Sequence, residues 1–347
     1  MKKLFCSLII SLVAASAFSQ AKPSFTQYIL NNYILNPALT GIENYIDAKA
    51  SYRHQWTGID GAPVTSYFTI QGPINKGDLR TNVNSFQVPG ENPRGKEAWD
   101  KYEVSPPHSG LGFQAINDKA GYLNRWTIAA TYAYHKPLSA KMALSAGFSA
   151  GMSAINVDRS KVTTGAYDDG LVIGYASGEL KKVKPELGAG LWLYSDNYFV
   201  GASVQNIVPG KVRFSDATTN NSDKYGFYFK PNYFATAGYK FWLSEFVSVL
   251  PSVMVQYWQP QLNGIHTNVK FQYMDLVWAG GGYRFSNAVG GYSAMAGVNI
   301  SNTLNVSYAY EVATTSRLRT YTGNTHEIMV GFLIGNKYGY TCPRNLW

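Results

Sequence analysis

Past residue 18 this chain has no long apolar run, and that absence excludes one way of living in a membrane. A spanning helix needs about 20 consecutive apolar residues, and no later stretch approaches that length. Cysteine is just as scarce. Cys6 and Cys342 are the two among 347 residues, so no framework of internal disulfides stabilises the chain. Charge is sparse too: Asp, Glu, Lys and Arg make up 15%, against roughly 25% in soluble globular domains. In their place stand 26 Tyr, 33 Gly and an aromatic content of 15%. The spanning structure left, with every backbone group satisfied in lipid, is a closed β-barrel.

The N-terminus is read apart from the rest. Lys2 and Lys3 form a short positive region, Leu4 to Phe18 an apolar stretch, and Ala17-Phe18-Ser19 a small-x-small cleavage pattern. That is the make-up of a secretory signal peptide over residues 1–19. Residues 20–43 are then expected to form an N-terminal segment in the periplasm. The barrel is expected over 44–334, and a periplasmic tail over 335–347.

From residue 44 onward, apolar side chains recur at every second position, the period of a strand. In 304–312, Leu304, Val306, Tyr308, Tyr310 and Val312 share one face and Asn305, Ser307, Ala309 and Glu311 the other. In 46–53, Ile46, Ala48, Ala50 and Tyr52 alternate with Asp47, Lys49, Ser51 and Arg53. A lipid-compatible face opposite a polar one, repeated along the chain, is the pattern of a membrane barrel with a polar interior. The spacing predicts an all-β chain, a transmembrane antiparallel β-barrel of about 14 strands, an even number as such barrels require. The strands fall near 44–54, 63–72, 110–117, 124–135, 141–153, 186–194, 198–206, 231–241, 247–257, 264–272, 277–284, 290–299, 304–312 and 324–334.

Connection lengths give an orientation. Short turns fall at 136–140, 195–197, 242–246, 273–276 and 300–303, and long connections at 154–185, 207–230 and 313–323. Outer-membrane barrels keep short turns in the periplasm and long loops outside, which puts the start of the first strand on the periplasmic side. The connection 73–109 departs from this rule. It is long, carries ten charged residues with Pro and Gly throughout, and is expected to be a flexible periplasmic loop, with a docking platform for periplasmic machinery or a partial plug as the alternatives.

Little here looks like chemistry. Gly147-Phe148-Ser149-Ala150-Gly151 has the outline of a hydrolase nucleophile elbow, which needs a strand-turn-helix setting. It sits inside an alternating strand, so its Gly and Ser face the lumen and Phe148 faces lipid. His54, His108, His135, His266 and His326 are scattered without metal spacing, although His54 and His326 meet when the first and last strands pair. Asp168-Asp169-Gly170 lacks the spaced oxygens of a calcium loop, and Gly280-Gly281-Gly282 has no following helix to cradle phosphate. Lys181, Lys182 and Lys184 lie near the outer rim, within reach of anionic lipid phosphates. No catalytic residue, cofactor, metal or nucleic-acid partner is expected, and the chain is read as a non-enzyme.

Several stretches carry a resemblance. They are Gln27-Tyr28, Asn36-Pro37-Ala38, Tyr52-Arg53-His54-Gln55-Trp56-Thr57-Gly58 with Gly61-Ala62-Pro63, Gly110-Leu111-Gly112-Phe113, Asn117-Asp118-Lys119 and Ser145 to Gly151. Together these are similar to the PorP/SprF family of outer-membrane proteins of the type IX secretion system in Bacteroidota, with the Arg53 to Pro63 segment the most specific. The resemblance implies a multi-pass barrel in the outer membrane that supports secretion or surface anchoring of a cargo adhesin, as in gliding motility. Its partners would be outer-membrane lipid, a cargo carrying a type IX C-terminal signal domain, and the periplasmic ring components of that machine. A passive porin or hydrophobic-solute channel is the alternative. The candidate partner-binding residues are Arg53, Trp56, Gly58, Gly61 and Pro63 at the outer rim, Asn117 and Asp118, and Cys342 and Trp347 in the tail. Arg53 would point into the lumen, where it could anchor a carboxylate.

Overall fold

The computed structural model describes residues 25–76, 103–158, 181–212, 227–258, 262–274, 276–286, 290–301, 303–314 and 323–336. Its strands in chain order are β1 (Ile46–His54), β2 (Val64–Ile74), β3 (His108–Ala120), β4 (Leu123–Ser139), β5 (Met142–Val157), β6 (Lys181–Ser195), β7 (Tyr198–Gln205), β8 (Gly210–Val212), β9 (Phe227–Phe229), β10 (Asn232–Tyr239), β11 (Phe241–Trp242), β12 (Val247–Trp258), β13 (Leu262–Tyr273), β14 (Val277–Ser286), β15 (Gly291–Ser301), β16 (Leu304–Ala313) and β17 (Thr325–Ile334). Strands β8 and β9 pair with each other alone, and the two-residue β11 folds onto β12. The other fourteen make one antiparallel meander in which each pairs with its neighbours in sequence. Strand β1 closes the ring on β17, from Ile46 opposite Ile334 to His54 opposite His326.

All fourteen expected strands are present, because the two-residue period is what lipid on one face and a polar lumen on the other impose. Along β1, Asp47, Lys49, Ser51 and Arg53 are buried while Ile46, Ala50 and Tyr52 are exposed. The outward face is a belt of Phe68, Phe113, Ile128, Phe148, Leu191, Val269 and Phe332, which are exposed in the isolated chain and suited to lipid. Several strands run past the expected ends. Strands β3 and β4 leave a turn of only Gly121 and Tyr122 between them, and β6 begins at Lys181 rather than 186.

The expected periplasmic segment is where the structure differs most. Residues 25–43 are buried throughout, and they fill the barrel from inside instead of lying in the periplasm. They form three short 3-10 turns, η1 (Tyr28–Leu30), η2 (Asn32–Ile34) and η3 (Pro37–Leu39). Asn36 caps η3 by accepting a hydrogen bond from the Ala38 N–H at 2.9 Å, with Pro37 at the first helical position. The chain leaves this plug at Gly41, whose φ of +77° is in the left-handed region that glycine adopts without penalty. Gly41 lies against Gly110 of β3, where a side chain on either would overlap the other's backbone.

Of the remaining expectations, the signal peptide, most of the 73–109 connection, Asp168 to Gly170 and the tail beyond residue 336 lie outside the described residues.

Candidate functional site

The plug meets the wall of the lumen in two different ways. At its start it hydrogen-bonds to a cluster of charged wall residues. Arg53 on β1, Arg284 on β14, Glu311 on β16 and Glu327 on β17 all point inward and are buried. Arg284 grips Glu311 in a fork, with both guanidinium nitrogens 3.0 Å from the two carboxylate oxygens. Arg53 Nη2 lies 3.3 Å from Glu311 Oε2, and Arg53 Nε lies 3.6 Å from Glu327 Oε2. Two cations meet two anions, so the cluster is neutral as a whole, the condition under which buried charges persist. The plug completes it: Thr26 N–H donates to Glu327 Oε2 at 2.9 Å and the Thr26 hydroxyl to Glu311 Oε2 at 2.8 Å. Gln27 is held on both sides of its amide, donating to the Glu327 carbonyl at 3.1 Å and accepting from Ser307 Oγ at 2.6 Å.

Further along, neutral groups of the wall reach the plug's main-chain carbonyls. Ser203 Oγ donates to Leu35 O at 2.7 Å, Gln205 Nε2 to Ile34 O at 2.9 Å, and Ser145 Oγ to Ala38 O. His135 Nε2 is 2.8 Å from Thr40 O and His108 Nε2 is 3.2 Å from Gly41 O. Asn36 Nδ2 reaches the other way, donating to the Leu191 and Ala202 carbonyls of β6 and β7. Glycines on the wall let the plug come this close. A Cβ at Gly147 would sit 2.5 Å from Pro37 O, and one at Gly190 would overlap the Asn36 amide. Trp192 and Phe199, stacked 4.9 Å apart and fully buried, complete the packing on this side.

Among the sequence-predicted residues, Arg53 does point into the lumen, and the carboxylates it meets belong to the barrel itself. Trp56, Gly58, Gly61 and Pro63 lie in the β1–β2 connection at the opposite end of the barrel from the start of β1. Trp56 (φ +55°), Gly58 (φ +96°) and Gly61 (φ +73°) all take left-handed backbone there, which is uncommon for a bulky residue such as Trp56. Neighbours on both sides hold that connection. Gly323 N–H donates to Thr57 O at 2.7 Å ahead of β17, and Gly121 N–H donates to Gly61 O at 2.8 Å in the β3–β4 turn. Asp118 faces inward and accepts from Thr65 Oγ1 at 2.8 Å, whereas Asn117 lies on the outward face of β3 and donates to Asn124 Oδ1 at 2.6 Å. Cys342 and Trp347 lie outside the described residues.

The structure pairs residues that spacing along the chain separates. His108 and His135, opposite each other on β3 and β4, stack with ring centroids 4.5 Å apart, each holding a plug carbonyl. Glu311, Glu327 and Arg284 stand on the polar side of alternating strands, so the pattern placed them in the lumen without revealing that they would meet. Ser149 is buried on the lumen side and Phe148 exposed, with no helix after them to form a nucleophile elbow. Among the described residues no three His, Cys, Asp or Glu side chains come together as a metal site.

A family model described as type IX secretion system membrane protein PorP/SprF matches residues 17–332. No curated relative matches the chain. Solved structures that resemble it include the outer membrane protein Omp33 of Acinetobacter baumannii, at 8% identity over 85% of this chain and 100% of that one, with a TM-score of 0.47. Others are the CymD monoaromatic hydrocarbon channel, at 11% identity, 92% and 96% coverage and a TM-score of 0.47, and the Ralstonia pickettii toluene transporter TbuX, at 11%, 88% and 91% with 0.41. Likenesses this distant carry no statement about function.

Proposed function

Since this chain belongs to the PorP/SprF family of type IX secretion system membrane proteins, we propose that it is a plugged outer-membrane barrel that holds secreted cargo at the cell surface. The cargo would be an adhesin bound through its C-terminal signal domain, with the periplasmic ring of the secretion machine as the second partner. The observation that carries this reading is the plug. Residues 25–43 occupy the lumen and are anchored on strands around the ring.

A solute channel needs a continuous aqueous path, and a fourteen-stranded barrel is wide enough for one only when nothing fills it. A component that anchors a partner needs a rigid wall and rim instead. The tied-down Gln55 to Pro63 connection offers such a rim on the side that the long connections mark as external. No step of this work requires bond chemistry, so the protein is read as a non-enzyme.

Mild-detergent extraction of a tagged copy from its native membrane, followed by mass spectrometry of the co-purifying proteins, tests the reading. A surface adhesin fragment bearing its C-terminal domain, or ring proteins, is the expected catch. A lone barrel that passes ions freely in planar bilayers would overturn it in favour of a porin.

A further inference from the structure

The Asn117-Asp118-Lys119 motif is split by the pleat of β3, and its two halves do different work. Asp118 turns inward to Thr65. Asn117 and Lys119 are on the outward face, towards lipid. Strand register then extends the outward half sideways. Lys119 on β3 stands opposite Asn124 on β4, Asn124 opposite Asn156 on β5, and Asn156 opposite Lys181 on β6. Alternation along each strand puts all four on one face: the neighbours Asp118, Ile155 and Lys184 are lumen-side, while Trp126, Met152 and Val183 are exposed outward.

The result is a row on four adjacent strands with a lysine at each end and amides between. Three inter-strand spacings of about 4.8 Å separate the lysines by about 14 Å. Both lysines are exposed, and among the described residues neither has a carboxylate partner. Asp118, next to Lys119, faces the lumen, and Asp158 follows just past the end of β5. The row lies at the external end of the strands. Directly below it comes the apolar belt of Trp126, Ile128, Met152, Val183 and Leu187, exposed by 39–64%. Cations and amides above a belt for acyl chains match the layout of a charged lipid, headgroup above tails.

We propose that Lys119, Asn124, Asn156 and Lys181 form a binding row for a phosphorylated glycolipid of the outer leaflet. The lysines would take its anionic groups and the amides its sugar hydroxyls. Amides discriminate here, because a lysine pair alone would serve any anionic lipid, while the N–H donors of Asn side chains also bond sugar hydroxyls. Asn117 contributes by donating to Asn124 Oδ1, so the groups that Asn124 would offer a ligand are its N–H donors.

The test uses the full chain in maltoside micelles, titrated with monophosphoryl lipid A, with phosphatidylglycerol and with a neutral galactolipid, and read by native mass spectrometry. Wild type is expected to bind lipid A more tightly than either of the others. Lys119→Gln with Lys181→Gln should weaken lipid A binding about fivefold for each lysine removed. Asn124→Leu with Asn156→Leu should erase the preference for lipid A over phosphatidylglycerol while leaving the latter bound. Heat-modifiable migration on gels confirms that each variant is a folded barrel. The control Lys136→Gln with Lys141→Gln changes the net charge equally at the other end of the barrel and should leave binding unchanged. Equal affinity of wild type for lipid A and phosphatidylglycerol would overturn the proposal. So would an unaffected Lys119/Lys181 variant, or a control that loses as much.

Discussion

The two ends of the plug are held by opposite kinds of physics. Around Thr26 and Gln27 the wall offers full charges, two arginines and two glutamates buried from solvent. Around Ile34 to Gly41 it offers hydroxyls, amides, imidazoles and glycines, which hold mainly the plug's main chain and, at Asn36 and Thr40, its side chains. The ionic end is demanding because removing one partner strands another charge where water cannot reach it. The neutral end spreads its hold over many modest bonds and a close fit, so single losses there are felt less. One end specifies where the plug begins, and the other fixes its shape.

That contrast can be broken at its strongest point first. Arg53→Met leaves Glu327 facing a neutral wall, and loss of such a partner typically costs about 3–5 kcal/mol. Urea titration of the barrel in vesicles should show it as the largest single loss, and adding Glu327→Leu should recover part of it. Gly147→Val comes next. Its Cβ meets Pro37 O at 2.5 Å, and overpacking of this kind costs about 1–3 kcal/mol, read by the same titration together with new ion leakage as the plug is pushed aside. Asn36→Ala removes the cap of η3 and two bonds to the wall for about 1–2 kcal/mol. Ser145→Ala removes one bond to Ala38 O and should cost about 0.5–1.5 kcal/mol. If Ser145→Ala matched Arg53→Met in the titration, the difference drawn between the two ends would be wrong.

The barrel was legible because its constraint is local. Lipid outside and polar groups inside force alternation on every strand, so Leu304 to Val312 declares itself without knowledge of its neighbours. Closure of β1 on β17 followed from the same pattern, and His54 and His326 do stand opposite each other. The plug has no such period. Its burial comes from wall residues hundreds of positions away, as Thr26 meeting Glu327 illustrates. One signal was present all the same: Ser24 to Ile42 holds no charged residue yet carries three Ile, three Leu and Tyr28 and Tyr33. A stretch of that kind is poorly suited to open water, and the capped Asn36-Pro37 step within it marks a turn made to be buried. The ionic cluster stayed hidden for the same reason. Arg53, Arg284, Glu311 and Glu327 each read as one lumen-facing polar residue, and only the ring's closure brings them together.

Single-channel conductance of the full chain and of a form lacking residues 25–41 decides whether the plug closes the lumen. The full chain should keep a closed baseline in planar bilayers while the shortened form, still heat-modifiable, carries a steady open current. Equal currents from the two would contradict it, because the segment would then not be what closes the lumen.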